Sequence, residues 1–432
     1  MLHGNFLPTG VLPVHHNKSK VLVVGTTADY IDWLRNASPG AALFLTDSSE
    51  RKHATEPRPE IAEELLCNLS DTEQTMRALL NHLCKWQIFL NGILCFDCES
   101  MELTARIAKD FFLPYPTIEA IHNCRNKHIT KKLWQQEGLA CPQSRVVESP
   151  SAAVDFLKKV NGPCVLKPLT GSGSEFVYKC TGKKDCELSF KAIQNGLEGQ
   201  QINRMYNHSE TGILAEECIN GKEYSCDFII ENDRINVIRL TRKILCPDAP
   251  FGTIRGYVLA GCFPDEIEPE YFASVLKKSA TALGISRAIC MLDFIVRDNK
   301  LVLLELAPRP GGDCLPFLLR QAKGLDILTM ALDFAQQNPI QVYPDNNHEP
   351  YVGVRLHARH GGILRETNTQ SLRKDQRVRE IHLIRSQGHL IKMPPEEYDS
   401  WVLGHVIFKP FHDVDLQKQS EDIIKQIDIV IG

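Results

Sequence analysis

The apolar positions of this chain fall into short runs divided by polar, glycine-bearing or proline-bearing breaks. KVLVVG (Lys20 to Gly25) is an apolar run closed by glycine, and AALFLTD (Ala41 to Asp47) and GILCF are two more. Helical patterns follow the first run through Trp33, cover about 59 to 85 as a pair, and run from Glu99 to Phe111. Alternation of buried strand and helix predicts a small open parallel sheet. Only Gly25 marks the first turn, so the GxGxxG fingerprint of a dinucleotide site is absent. Residues 1 to 19, with Pro8, Pro13, His15 and His16, read as a loose arm.

From Thr117 the period is helical through Gly138; CPQSRVV is then extended, and SPSAAVDFLKKV opens with Ser-Pro, as a helix N-terminus does. GPCVLKPLTGSGSEFVYK reads as a buried strand ending in Lys167, a loop from Thr170 to Ser174, and a second strand. Such a loop offers amides and hydroxyls to phosphate oxygens and the lysine adds charge, although the spacing is not that of a P-loop. Two or three strands with a turn at Asn232-Asp233 come next, carrying Glu216, Glu217 and Glu223. Those carboxylates fit either a surface hairpin or a cleft that takes a purine edge and a ribose hydroxyl. The tail, from about 350, has short strands, HARHGGIL among them, and a last helix near Leu416 to Ile427. His357 and His360 flank Arg359 there, and alternation along a strand sends neighbours to opposite sides.

Chemistry is densest in MLDFIVRDNKLVLLELAPRPGGD, Met291 to Asp313. Two apolar runs flank a polar turn, which predicts a buried hairpin. With a three-residue loop, Asp298 to Lys300, Arg297 faces Leu301 and Asp293 faces Glu305. Opposed side chains have Cβ atoms about 4.5 to 5.5 Å apart, and two carboxylates that close in an apolar hairpin repel and lose hydration. A divalent cation between them is the simplest remedy. The competing reading puts one or both at a sheet edge, solvated or paired with Arg297 or Arg309. Arg309 stands between two prolines, and Gly311-Gly312 lets backbone approach a ligand. Metal, guanidinium and bare amides together describe a site for phosphate oxygens.

Composition narrows the class without changing the site. The chain has 432 residues, 43% hydrophobic and 24% charged, with a net charge of -4. That is an ordinary globular balance, with neither a nucleic-acid surface nor an acidic tail. No apolar run approaches a membrane span and the N-terminal residues lack a signal pattern, so the expected location is cytoplasmic, with a homodimer as the base-rate expectation. Fifteen cysteines, scattered and odd in number, read mostly as small buried hydrophobes. Cys95 and Cys98 have CxxC spacing near His82 and Cys84, which keeps a zinc or redox site as a further reading.

The order Lys127, Lys167 with its Gly-Ser loop, Glu216-Glu217-x-Ile219, Glu223, Asp293, Glu305 and Arg309 resembles that of ATP-grasp enzymes. The chain is similar to the carboxylate-amine ligase branch, which includes L-amino-acid ligases. The resemblance implies α/β and α+β architecture: an arm (1–19), a Rossmann-like pre-ATP-grasp domain (20–113), an ATP-grasp domain (114–335, glycine-rich loop near 170–175) and a small C-terminal α+β domain (336–432). It makes Lys127 and Lys167 ligands of the ATP phosphates, with Ser172, Gly173 and Ser174 in the closing loop. It turns Glu216 to the adenine amino group, the backbone of Glu217 and Ile219 to the ring edge, and Glu223 to the ribose. Asp293 and Glu305 would hold magnesium, with manganese as an alternative ion, and Arg309 would face an acyl phosphate. Ala307 stands where many members have a metal-binding Asn, and the loop runs into Glu175-Phe176 where another glycine is common. The implied reaction joins a small carboxylate to an amine, releasing ADP and phosphate, on amino acids or small peptides. The alternatives are a ligase of nucleotide or cofactor biosynthesis and a non-catalytic nucleotide-binding protein.

Overall fold

The structure, a computed structural model, describes residues 19–52, 54–199, 204–206, 212–259, 267–340, 342, 349–412 and 415–432. The expected N-terminal arm, with Pro8, Pro13, His15 and His16, lies outside the described residues. The first sheet holds β1 (Ser19–Val24), β2 (Ala42–Asp47), β3 (Glu64–Cys67) and β4 (Phe89–Leu94), all parallel in the order β3-β2-β1-β4. Helices α1 (Ala28–Ala37), α2 (Thr72–Trp86) and α3 (Met101–Asp110) connect and cover it. The pair of helices expected over 59 to 85 is one helix, α2, preceded by the edge strand β3. Leu65 and Leu66 pair with Leu45 and Thr46, so strand addition at the edge overrides a locally helical composition.

The helical stretch after Thr117 is two helices, α4 (Ile118–Arg125) and α5 (Lys127–Gln136). Asn126 breaks it: its backbone is extended and its side chain accepts from the amides of His128 and Ile129, capping α5. α6 (Pro150–Val160) starts as its sequence asks, with Ser149 capping the amide of Ala152 and Pro150 in the first turn. A second sheet contains β5 (Ser144–Val147), β6 (Cys164–Pro168), β7 (Tyr178–Cys180) and β8 (Ile213–Glu217), in the order β5-β8-β6-β7. α6 and α7 (Lys183–Gly199) close a separate core over it, built on Val147, Phe156, Leu166, Phe190 and Ile193.

The third sheet has eight strands. β9 (Lys222–Glu231), β10 (Arg234–Leu245), β11 (Ile254–Leu259), β12 (Ala288–Arg297) and β13 (Lys300–Ala307) are joined by β14 (Tyr351–His357), β16 (Val378–Leu383) and β18 (Val402–Phe408), in the order β13-β12-β9-β10-β11-β14-β18-β16. Tail strands therefore extend the central sheet. The remaining tail strands, β15 (Gly362–Asn368), β17 (Leu390–Ile391) and β19 (Asp428–Ile431), make a three-stranded sheet of their own. α8 (Pro269–Thr281), α9 (Leu315–Lys323), α10 (Ile327–Ala335), α11 (Gln370–Lys374) and α12 (Leu416–Lys425) complete the chain. One core joins Val21, Val23 and Phe44 of the first sheet to α9, α10 and Ile229, Ile238 and Ile407 of the third. Among the described residues no helix is long and apolar enough to cross a membrane.

The hairpin β12-β13 keeps the expected carboxylate pair by a different route. Its loop has two residues, Asp298 and Asn299, both with positive φ, and Arg297 pairs with Lys300 rather than Leu301. A bulge between Phe294 and Asp293 leaves Leu304 unpaired, so Phe294 faces Leu303 while Asp293 faces Glu305. The one-residue error in the loop and the one-residue bulge cancel.

Candidate active site

One face of the third sheet is polar although the strands are buried. Glu223, Ser225 and Asp227 alternate along β9, and Arg239, Thr241 and Lys243 along β10, with Arg239 opposite Asp227 and Thr241 opposite Ser225. Asp293 lies beside Ser225 on β12 and Glu305 lies beside Asp293 on β13. Strand periodicity of two puts all eight on the same side. One member of the expected carboxylate pair has a protein cation beside it: Lys243 Nζ donates to Asp293 Oδ2 at 2.6 Å and to Glu223 Oε1 at 2.7 Å. Burial pushes Lys243 down, but Asp293 and Glu223 outweigh it and the ammonium is held charged. Glu223, expected at a ribose, has this lysine as its partner.

Asp293 is buried, and its Oδ1 has no hydrogen-bond partner. Burial pushes its carboxyl up to about 6, with Lys243 opposing and Glu305 adding. Glu305 goes the other way. Burial raises it, yet the charges of Lys127, Lys243, Lys167 and Lys131 together hold it below the usual carboxylate range. Two facing carboxylates, one with a buried oxygen that lacks a hydrogen-bond partner, fit a small hard cation that takes oxygen ligands.

The lysines arrive from two elements. Lys127 opens α5 and donates from Nζ to the carbonyl of Gly171 at 2.9 Å, so it already touches the Gly-Ser loop. Burial, reinforced by Lys167 and opposed by Glu305, pushes it down to about 8. One turn on, Lys131 is fully buried and donates to the carbonyl of Leu304, the bulge residue beside Glu305. Lys167, on β6, donates to Glu216 Oε2 at 2.6 Å, while Lys131 lies 3.4 Å from Oε1. Burial raises Glu216, but these two lysines dominate and keep it ionised. Glu216, expected at an adenine amino group, has these two lysines as its partners. Glu217 donates its backbone amide to Gln143 O at 2.9 Å, which leaves its carbonyl, not that amide, for a ligand. Ile219 is half-buried in the segment that carries the chain from the second sheet to the third.

The loop is anchored at its end and open at its middle. Gly171, at φ +125°, lies against Tyr206, where a Cβ would come within 2.9 Å of the ring. Ser172 precedes Gly173, which at φ +67° meets nothing within 4 Å; Ser174 Oγ donates to the carbonyl of Gly252 at 3.0 Å. Glu175 accepts from Tyr206 at 2.7 Å, and Phe176 is buried against Tyr206 and Tyr398.

Arg309 stands across the site with its Nε and Nη2 at 3.2 and 3.0 Å from Cys98 Sγ, and donates from Nη1 to its neighbour's carbonyl. The loop after it is pinned from below: Asp227 accepts from the amide of Gly311 at 3.0 Å and from Arg239 Nε at 2.8 Å. A Cβ at Gly311 would lie 2.8 Å from Arg239 Nη2 and 2.9 Å from Leu315 Cδ1, so the glycine is needed for this close approach. Cys95 is buried with its thiol 3.2 Å from the Tyr115 hydroxyl, and both members of the CxxC are free thiols with separate neighbours. His357 is half-buried against Trp401 and His360 is exposed, so they form no common site.

Sequence reasoning missed Lys131, Lys243, Asp227 and Arg239. Lys131 had a signal, the four-residue spacing from Lys127 that shares a helix face. The others show as polar residues at period two inside otherwise apolar strands.

Residues 160–316 match a family model described as ATP-grasp domain. Over 212 residues the chain is 24% identical to a D-alanine–D-alanine ligase of Paracidovorax citrulli, a match covering 46% of this chain and 58% of that one. The chain spans about half the length of the curated relatives it matches. Among solved structures, an L-amino acid ligase from Bacillus licheniformis superposes with a TM-score of 0.78 at 17% identity, over 96% of this chain and 99% of that one. A phosphoribosylglycinamide synthetase from Anaerococcus prevotii superposes with a TM-score of 0.63 at 18% identity, over 96% and 100%.

Proposed function

The chain has the ATP-grasp fold, and on that premise we propose that it is an ATP-dependent ligase joining a small carboxylate to an amine. The observation that carries this reading is the charge arrangement at Glu305, which faces Asp293 and feels Lys127, Lys167, Lys131 and Lys243 at once. A structural hairpin does not call for so many buried and half-buried charges, whereas a polyphosphate with a metal ion gives them a use. The working units are the Rossmann-like sheet (20–113), the ATP-grasp domain (114–335) and the α+β tail (336–432).

In this reading the nucleotide lies between the second and third sheets. The backbone from Glu217 to Ile219 takes the base edge, and Glu223 a ribose hydroxyl when it yields its place on Lys243. Lys127 and Lys167 hold phosphate oxygens, and Ser172 to Ser174 fold over them. Asp293 and Glu305 are the residues that would hold magnesium or manganese, which when bound neutralises charge growing on the phosphates. A substrate carboxylate oxygen attacks the γ-phosphorus and the bond to ADP breaks, giving an acyl phosphate. An amine nitrogen then attacks the acyl carbon, phosphate leaves with the electron pair, and the nitrogen loses a proton. Arg309 would stabilise the oxyanion of that second step. Loop and sheets exclude the water that would hydrolyse the intermediate.

Amino acids or small peptides are the substrates we favour, supported by closer superposition on the amino acid ligase than on the phosphoribosylglycinamide synthetase. Phosphate release from ATP and magnesium, measured against amino acids offered singly and in pairs, tests this. Release that needs one pair, with a condensed product by mass, is the expected result. Release with none, from protein shown to bind ATP, would overturn the amino acid reading.

A further inference from the structure

Behind the site, on the face of the second sheet turned away from the lysines, Cys164, Cys180 and Cys186 meet. Cys164 is on β6, three residues before Lys167; Cys180 pairs with it across the ladder from β7; Cys186 comes down from α7. All three are fully buried and free, and their sulfurs lie within 4.8 Å of one another. Among the described residues this is the one group of three or more potential ligands so gathered. Neither the sequence spacing nor the proposed reaction accounts for it.

We propose that Cys164, Cys180 and Cys186 form a trithiolate site for a soft, thiophilic cation, of which zinc(II) and copper(I) are the ordinary cellular kinds. Three thiolates around one ion at about 2.3 Å stand roughly 4 Å apart, so the sulfurs need little movement to close on it. Small apolar side chains would fill the same core of Val147, Phe156, Leu166 and Ile193 equally well, and packing alone does not bring three thiols into mutual contact. Binding releases thiol protons to solvent: zinc(II) with three thiolates leaves one negative charge in the core, and copper(I) leaves one when the third thiol keeps its proton. The choice of soft ions follows from an all-sulfur donor set, with no carboxylate or histidine in the group. An ion here ties β6, β7 and α7 together at the base of the hairpin whose loop is Thr170 to Ser174. The inference does not depend on the ligase reading.

The test uses the reduced full chain under argon, titrated with cadmium(II) both as the native protein and during refolding, because the sulfurs are shut off from solvent. Expected are one equivalent bound, a sulfur-to-metal absorption band in the ultraviolet, and a raised Tm. The band should be lost in Cys186→Ala and in Cys180→Ala and kept in Cys84→Ala, whose thiol is exposed. Equal bands in the wild type and the two core variants, or loss in Cys84→Ala, would overturn the proposal. X-ray absorption on the cadmium-loaded wild type needs no variant: three sulfur neighbours support the site and two or fewer exclude it. Competition then separates the ions, since whichever of zinc(II) and copper(I) displaces cadmium at the lower concentration is the cellular candidate. Displacement by neither would overturn the assignment to either ion.

Discussion

Lys243 bridges Asp293, one member of the facing carboxylate pair, and Glu223 on β9, which makes it a test of the metal reading. Lys243→Met leaves Asp293 and Glu223 buried or half-buried without their shared cation and should cost about 3 kcal/mol of stability. Magnesium should raise the Tm of this variant more than that of the wild type, as read by thermal denaturation. Equal magnesium shifts would place the ion elsewhere. Glu305→Ala should abolish turnover with the circular dichroism spectrum unchanged; full activity would remove Glu305 from the site. Lys127 makes a prediction in pH. Its folded pKa of about 8 lies below the ordinary 10.5, so between these values the unfolded chain binds the proton more tightly. The fold therefore gains stability from this lysine as pH rises through that window. Affinity for ATP should move the other way, falling above about pH 8 as the ammonium is lost, and Lys127→Arg should flatten that fall. The carboxylates and lysines of the motifs were legible because each stands in a local sequence pattern. Lys243 and Arg239 were not, since their partners lie 50 and 12 residues away and meet them only across paired strands.

At the scale of elements, the bulge in β13 and the loop after it decide where the chemistry points. Lys131 holds the carbonyl of Leu304, so Lys131→Met should free the bulge and misplace Glu305. The expected outcome is a loss of kcat larger than the loss of Tm explains, by kinetics and denaturation on the same preparation. Gly311→Ala forces a methyl against Arg239 and Leu315, at a cost of about 1 to 3 kcal/mol. It should lower kcat as well, since the displaced segment carries Arg309. The hairpin was readable as a hairpin, and Ser149-Pro150 as a helix start, because turn and cap chemistry are local. The bulge was not, because its partners come from far along the chain: the Leu304 carbonyl accepts from Lys131 and the Leu303 amide donates to Ala140. The strand β3 was hidden for a similar reason: only the free edge of β2 makes Glu64 to Cys67 extended.

For the whole molecule, the division of cores predicts how it opens. The first sheet, α9, α10 and part of the third sheet share one core, further joined by Trp33 Nε1 donating to Asp326 at 2.8 Å and by Arg320 stacked 3.8 Å from the Trp33 ring. The second sheet with α6 and α7 has its own. Amide exchange should show residues 144–199 together with β8, Ile213–Glu217, opening as a separate unit, protected on addition of ATP, while the shared core exchanges together; uniform protection throughout would contradict this. The parallel first sheet was legible from the alternation of strand and helix. The continuity of the third sheet was not, because β14 reaches β11 across almost a hundred residues of chain. That continuity has a consequence for engineering. Val352 to Val354 are laddered onto Gly256 to Val258, and the next strand onto those, so the tail is not a cartridge that can be exchanged to alter selectivity. A chimera joined between Ala335 and Tyr351 would be cut through a ladder of backbone bonds, and grafts should succeed only when β11, β14 and β18 travel as one piece.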